Sequence, residues 1–197
     1  LSLAPINFSL VHDRIVNVKG YYLQDDRLNI VEEHCEKGTL GELLRKERLV
    51  EQSKVDIALQ LAKTMTILHS IKDIPGHGHL HTGNVLITKE MRIKVAGLFF
   101  LPLKKYCEIM TGYTNKTAFT APEFLSEPRK IVLAPRRPGD VYSFGMVLYE
   151  IFTETSPFDG ASLKMIRSYV VDENSRPKIP STVSEPIAYL IRSCWQE

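Results

Sequence analysis

Residues 140–154 constrain this chain more than any other stretch. Val141, Phe144, Val147, Leu148, Ile151 and Phe152 fall around most of the circumference of one helix. A helix that is apolar on so many sides has no face to give to water, so the pattern predicts a central, buried element with the rest of the chain packed around it. Asp140 is placed to cap its start. Phe144 is expected to lie deeper than Tyr142 and Ser143. A chain of 197 residues is long enough to enclose such a core as one domain, or as most of a larger one.

The segments before that helix alternate between strand and helix signals. Residues 16–22 and 27–33 read as two strands around the turn residues Gln24, Asp25 and Asp26. Gly38 breaks the run, and Thr39 caps a helix reaching Arg48. Residues 53–70 form an amphipathic helix with Val55, Leu59, Ala62, Met65 and Leu68 on its apolar stripe. A loop then leads into a short hairpin, with strands at 84–88 and 92–96 and a turn at Lys89 and Glu90. Residues 101–116 show no periodicity, Ala121-Pro122-Glu123 opens a short helix, and residues 128–139 form a basic connection. Further helices are expected at 163–171 and 184–194.

The loop before the hairpin carries the residues with chemistry. His77, His79 and His81 alternate, and on an extended strand they would share a face and offer three imidazoles to a metal. A bent loop would separate them, and no metal is assigned. Asn84 follows, and Gly97, Leu98 and Phe99 lie just past the second strand.

In order and spacing, these segments resemble the protein kinase fold, of its tyrosine-kinase-like branch. The pattern there is His-Arg-Asp, four residues, Asn, and then Asp-Phe-Gly one hairpin later. His77, Gly78, His79 and Asn84 fall on the first motif, and Gly97, Leu98 and Phe99 on the second. Ala121-Pro122-Glu123 matches Ala-Pro-Glu, and residues 139–145 match the start of the family's central helix. The resemblance implies an α+β, protein kinase-like fold, mostly its helical C-lobe with the last N-lobe strands and the hinge. Residues 1–34 would be the N-lobe remnant, and residues 35–197 a C-lobe that stops before the domain end. The resemblance places the start of the chain near the end of the family's helix C, without the family's phosphate loop and lysine strand.

The same resemblance implies roles for single residues. Glu32, Glu33 and Cys35 fall in the nucleotide-facing hinge, with Glu32 as gatekeeper, either solvated or matched to a cation. Thr111, Tyr113, Thr114 and Thr117 lie where related domains are phosphorylated. Glu123 and Asp140 take structural positions, Glu123 without its arginine partner in this chain. His79 and Gly97 stand where carboxylates orient the hydroxyl and hold magnesium. On that ground the chain is expected to be a non-enzyme, a pseudokinase. The motifs at residues 77–80, 94–98 and 33–44 resemble the mixed lineage kinase domain-like pseudokinases of necroptosis. The kinase homology domain of receptor guanylyl cyclases and an atypical active kinase are the alternatives. No resident cofactor is expected, ATP being possible in a longer domain without a proper magnesium site.

Composition adds exclusions. A net charge of +2 with no long basic run gives no footprint for nucleic acid. No apolar stretch reaches the ~18 residues of a membrane span, so no membrane contact is expected. The expected partners are an upstream protein kinase and signalling proteins. Three scattered cysteines, Cys35, Cys107 and Cys194, fit a reducing cytoplasm.

Overall fold

The computed structural model describes residues 12–25, 27–72, 74–98, 117–126 and 137–196, the side chains of Arg27 and Leu28 excepted. It is an α+β structure in which helices carry the core and four short strands make two separate hairpins. Strand β1 (Val18–Gln24) pairs antiparallel with β2 (Arg27–Glu32), Tyr22 opposite Asn29, with a bulge between Val18 and Gly20. The expected division near residue 34 falls in the connection from β2 to helix α1 (Leu40–Lys46).

Helix α1 begins at a capping box. The Glu42 N–H donates to the Thr39 hydroxyl at 3.2 Å, and the Thr39 N–H donates to Glu42 Oε2 at 2.9 Å. Two donors that a helix start leaves orphaned are thereby satisfied.

Helix α2 (Glu51–Ser70) buries Ile57, Leu61, Thr64, Met65 and Leu68. Val55 and Leu59, expected on the buried stripe, are exposed instead. Residues 55 and 59 share the spacing of 57 and 61, so periodicity alone offers two neighbouring stripes. Lys54, next to the stripe, is also buried, and its Nζ lies 3.0 Å from Glu154 Oε1. Hairpin β3 (Val85–Ile87) and β4 (Ile93–Val95) follows, with Val85 opposite Val95 and both wholly buried.

After the short helix α3 (Pro122–Ser126) comes the central helix α4 (Arg137–Thr153). Met146, Val147, Leu148 and Ile151 have no exposure at all. Two details differ from expectation. The helix starts at Arg137, so Asp140 is inside its first turn rather than capping it. Tyr142 and Ser143 are buried while Phe144 is only partly so, and Val141 is 45% exposed. For Ser143, polar partners decide this order. The Ser143 hydroxyl reaches the Phe119 carbonyl at 2.7 Å and the Gly139 carbonyl at 2.9 Å, which removes the cost of burying it. The Tyr142 ring is covered by the Arg176 guanidinium, 5.3 Å from its centroid.

Helix α5 (Leu163–Arg167) widens into a π-turn at Ser168–Asp172, and α6 (Glu185–Cys194) packs back on α4. Gly145 permits that approach: a Cβ there would lie 2.6 Å from the Cβ of Cys194. The same burial pushes the Cys194 thiol up to about 11. Among the described residues no helix is long and apolar enough to cross a membrane.

Truncating Ile151 to Ala is expected to cost about 2–5 kcal/mol, as for other large buried aliphatic side chains. Val141→Ala on the same helix should stay within about 0.5 kcal/mol, as surface changes do. Chemical denaturation of the two variants checks the orientation of α4.

Candidate functional site: a histidine loop held by a buried carboxylate

The loop before β3 is organised by Asp140, which is 1% exposed. Its Oδ2 accepts from the His77 N–H at 2.7 Å, and its Oδ1 from the Gly78 N–H at 2.7 Å. His69 Nε2, from the end of α2, lies 2.8 Å from the same Oδ2. A buried carboxylate with charge-assisted bonds to both oxygens is a strong anchor. It fixes two consecutive peptide units of the loop on the first turn of α4.

From that anchor the histidines separate. His77 turns inward, 2% exposed, with Nε2 at 2.8 Å from the Ala96 carbonyl. A carbonyl only accepts, so Nε2 carries the proton and Nδ1 is the acceptor for the His79 N–H at 3.1 Å. His81 Nδ1 accepts from the Gly83 N–H at 3.0 Å. The His79 and His81 rings meet edge to face with centroids 4.8 Å apart. The loop is therefore bent, and the three imidazoles do not share one face. Among the described residues no three His, Cys, Asp or Glu side chains are grouped to hold a metal.

Asn84 closes the loop, its Nδ2 donating to the His79 carbonyl at 2.9 Å while its own carbonyl accepts from the Ala96 N–H at 2.8 Å. Gly97 sits against that amide. Its φ is +86°, and a Cβ there would come within 2.9 Å of Asn84 Nδ2. Leu98 is buried beside it. His79 and His81 line a concavity with Phe119, Thr120 and Ala121. Thr117 is buried at 5%, whereas Glu123 is exposed at the start of α3. Phe99, Thr111, Tyr113 and Thr114 lie outside the described residues.

At the hinge, Glu33 takes the cation. Lys94 Nζ donates to both Glu33 oxygens at 2.8 Å, and the Asn17 N–H to Oε1 at 2.7 Å. Burial alone would raise the Glu33 carboxyl, but these partners outweigh it and hold it below the usual carboxylate value. Glu32 has the opposite fate. Its Oε1 is buried with no hydrogen-bond partner among the described residues. Burial, and after it the charge of Glu33, pushes its carboxyl up. Glu32 is thus only partly exposed and makes no ion pair among the described residues, its Oε1 shut away from water while Lys94 is engaged by Glu33. Cys35 is buried beside them, and burial raises its thiol.

A further buried group braces the site. Glu150, in the middle of α4, accepts from the Thr82 hydroxyl of the loop at 2.9 Å and from the Ser156 hydroxyl at 3.2 Å. Its signal in the sequence is an acid inside an apolar run, which must find buried partners. His69 had no signal beyond its type.

The fold and loop geometry together define a kinase-type C-lobe, and the comparisons agree. The family model described as protein tyrosine and serine/threonine kinase matches residues 4–197. The chain belongs to that family. It is 33% identical over 194 residues to serine/threonine/tyrosine-protein kinase HT1 of Arabidopsis thaliana, covering 95% of this chain and 47% of that protein. Serine/threonine-protein kinase CTR1 of the same plant is 30% identical over 191 residues, 94% of this chain and 23% of that one. Dual specificity protein kinase shkD of Dictyostelium discoideum is 28% identical over 191 residues, again 94% and 25%. The chain thus spans less than half the length of each of these relatives.

These relatives correct one expectation. The missing carboxylates at His79 and Gly97 implied a non-enzyme, yet the relatives along nearly the whole chain are named as protein kinases. Family membership points to an enzyme. Phosphoryl transfer rests on positioning and electrostatics spread over a whole scaffold, so two substituted side chains are too narrow a basis for excluding it. The magnesium ions of that chemistry do not fit the described loop, however. Gly97 has no side chain, and Asn84 brings only one neutral amide oxygen, a poor hold on magnesium without carboxylates beside it.

Placing a carboxylate at the glycine tests this packing. Gly97→Asp must displace the Asn84 amide and adopt a left-handed φ, so it is expected to lose about 1–2 kcal/mol in a denaturant titration.

Glu32→Gln tests the unpaired carboxyl. A carboxyl raised in the folded state is ionised at a cost above its folded pKa, so the variant should be more stable than the native chain at pH 8. The gain should vanish as pH falls below the unfolded carboxylate value, where both states are protonated. Thermal unfolding at pH 4 and pH 8 gives the comparison.

Proposed function

We propose that this chain is the larger lobe of a protein kinase of the serine/threonine type, which transfers phosphate to protein hydroxyls in signalling. The supporting observation is the loop frame: Asp140 fixes His77 and Gly78, while His77 and Asn84 hold the backbone of His79 from both sides. His79 then stands where the family pattern meets the acceptor hydroxyl. An imidazole titrates near neutral pH and can take the proton as the hydroxyl attacks. ATP is the donor we assign, bound in the longer protein, with the cytoplasm as the place of action.

Regulation belongs to the same proposal. Thr111, Tyr113, Thr114 and Thr117 are the assigned acceptors for an upstream protein kinase. A phosphate adds about −1.5 to −2 charges and three strong acceptor oxygens. Because Thr117 is buried, modifying it requires its turn to open. A necroptosis-type signalling role rests on the motifs at residues 33–44, 77–80 and 94–98 alone.

The longer protein is expected to move labelled γ-phosphate onto a protein substrate, and His79→Ala to lower the rate about 10²–10⁴-fold, the usual worth of a general base. Phosphatase treatment should lower it as well. Incorporation no higher than in heat-killed protein overturns the transfer reading, and a rate unchanged by phosphatase overturns the switch.

A further inference from the structure

On another part of the lobe, the end of α4, the loop after it and the π-turn enclose an open cleft of ≈ 380 Å³. Its walls are aromatic. Tyr149 is buried with its hydroxyl directed to the Lys178 carbonyl at 3.5 Å. Phe158 and Tyr169 stack with centroids 6.0 Å apart and planes at 25°. Phe158 holds a left-handed φ of 55°, a conformation an aromatic residue seldom takes, and Tyr169 sits on the π-turn. Backbone irregularities of both kinds gather at binding sites.

The charges decide what such a cleft can take. Asp159 and Glu173 are exposed at its rim, and neither makes an ion pair among the described residues. Asp159 is near enough to push the Tyr149 phenol up, adding to the larger effect of burial. Arg176 also lines the cleft, but its guanidinium is engaged inward. It donates to the Ser175, Val170 and Trp195 carbonyls at 2.9, 3.5 and 3.3 Å and covers the Tyr142 ring. Two uncommitted carboxylates therefore face one exposed cation, Lys178.

We propose that this cleft binds a lysine- or arginine-bearing peptide segment of a protein partner. Aromatic faces attract a cation, and carboxylates at the rim match its charge. The volume exceeds one side chain and suits a few residues of an extended peptide. The cleft uses none of the residues assigned to phosphate transfer, so its occupancy is measurable without nucleotide and stands apart from that reading.

The test is fluorescence anisotropy of the longer protein with labelled ten-residue Gly/Ser peptides carrying paired Lys, Arg, Glu or Leu at their centre. Lys and Arg peptides are expected to bind saturably, more weakly as salt rises, and Glu and Leu peptides to bind far less. D159N/E173Q should weaken binding roughly tenfold, the size expected from losing two rim ion pairs beside a cation–π contact. The thermal transition should not move, since both carboxylates are exposed. Tyr169→Ala should weaken binding as well, while Lys178→Ala should leave it equal or tighter. Leu or Glu peptides binding as well as Lys peptides, or basic-peptide affinity unchanged in D159N/E173Q, overturns the proposal.

Discussion

The carboxylate of Asp140 is the interaction on which the rest of the site depends. It joins the end of α2, the loop of histidines and the first turn of α4, three segments distant in sequence. Each of its partners donates a hydrogen, two of them from the backbone. An acid this buried is destabilising unless its oxygens are satisfied, and here both are. The result is a loop whose path is set by main-chain bonds, with the side chains of His79 and His81 left to define the concavity above it. His77 completes the frame by bonding back to Ala96, next to Gly97, so both halves of the kinase-type pattern are tied through one imidazole.

Charge inside the lobe follows one rule throughout. Lys54 meets Glu154, which also accepts from the Leu49 N–H, and Glu150 meets two hydroxyls. Lys94 meets Glu33 and crosses from β4 to the hinge in doing so. Glu32 is the exception, and its carboxyl is raised by burial first and by the neighbouring charge of Glu33 second. A buried carboxyl oxygen without a partner is a departure that a pattern of residue types cannot show, because it depends on how each of two adjacent acids is turned in the fold.

Much of the fold was legible. The capping box at Thr39 and Glu42, the hairpin through residues 85–95 and the apolar central helix are local patterns with local causes. What periodicity could not choose was the face. On α2 the stripe through Ile57 and Leu61 is buried and the parallel one through Val55 and Leu59 is not, since both satisfy the same spacing. On α4 Phe144 yields depth to Tyr142 and Ser143: the Arg176 guanidinium covers the Tyr142 ring, and the Phe119 carbonyl accepts from the Ser143 hydroxyl. The start of α4 moved three residues upstream of Asp140 for a related reason: an aspartate there serves the neighbouring loop rather than its own helix end.

The sequence by itself determined the family, through the order and spacing of motifs along nearly the whole chain, and with it the α+β architecture of the lobe. Residue substitutions at His79 and Gly97 were equally plain in it, but their meaning was not: motif loss alone pointed away from an enzyme, and kinship along the chain pointed back. Only the tertiary structure decided how the loop is held and which acid keeps the hinge lysine. It alone brought Tyr149, Phe158 and Tyr169 to one cleft with Asp159 and Glu173. These outcomes rest on contacts between segments far apart in sequence, where burial sets which polar groups must pair, and no local pattern records that.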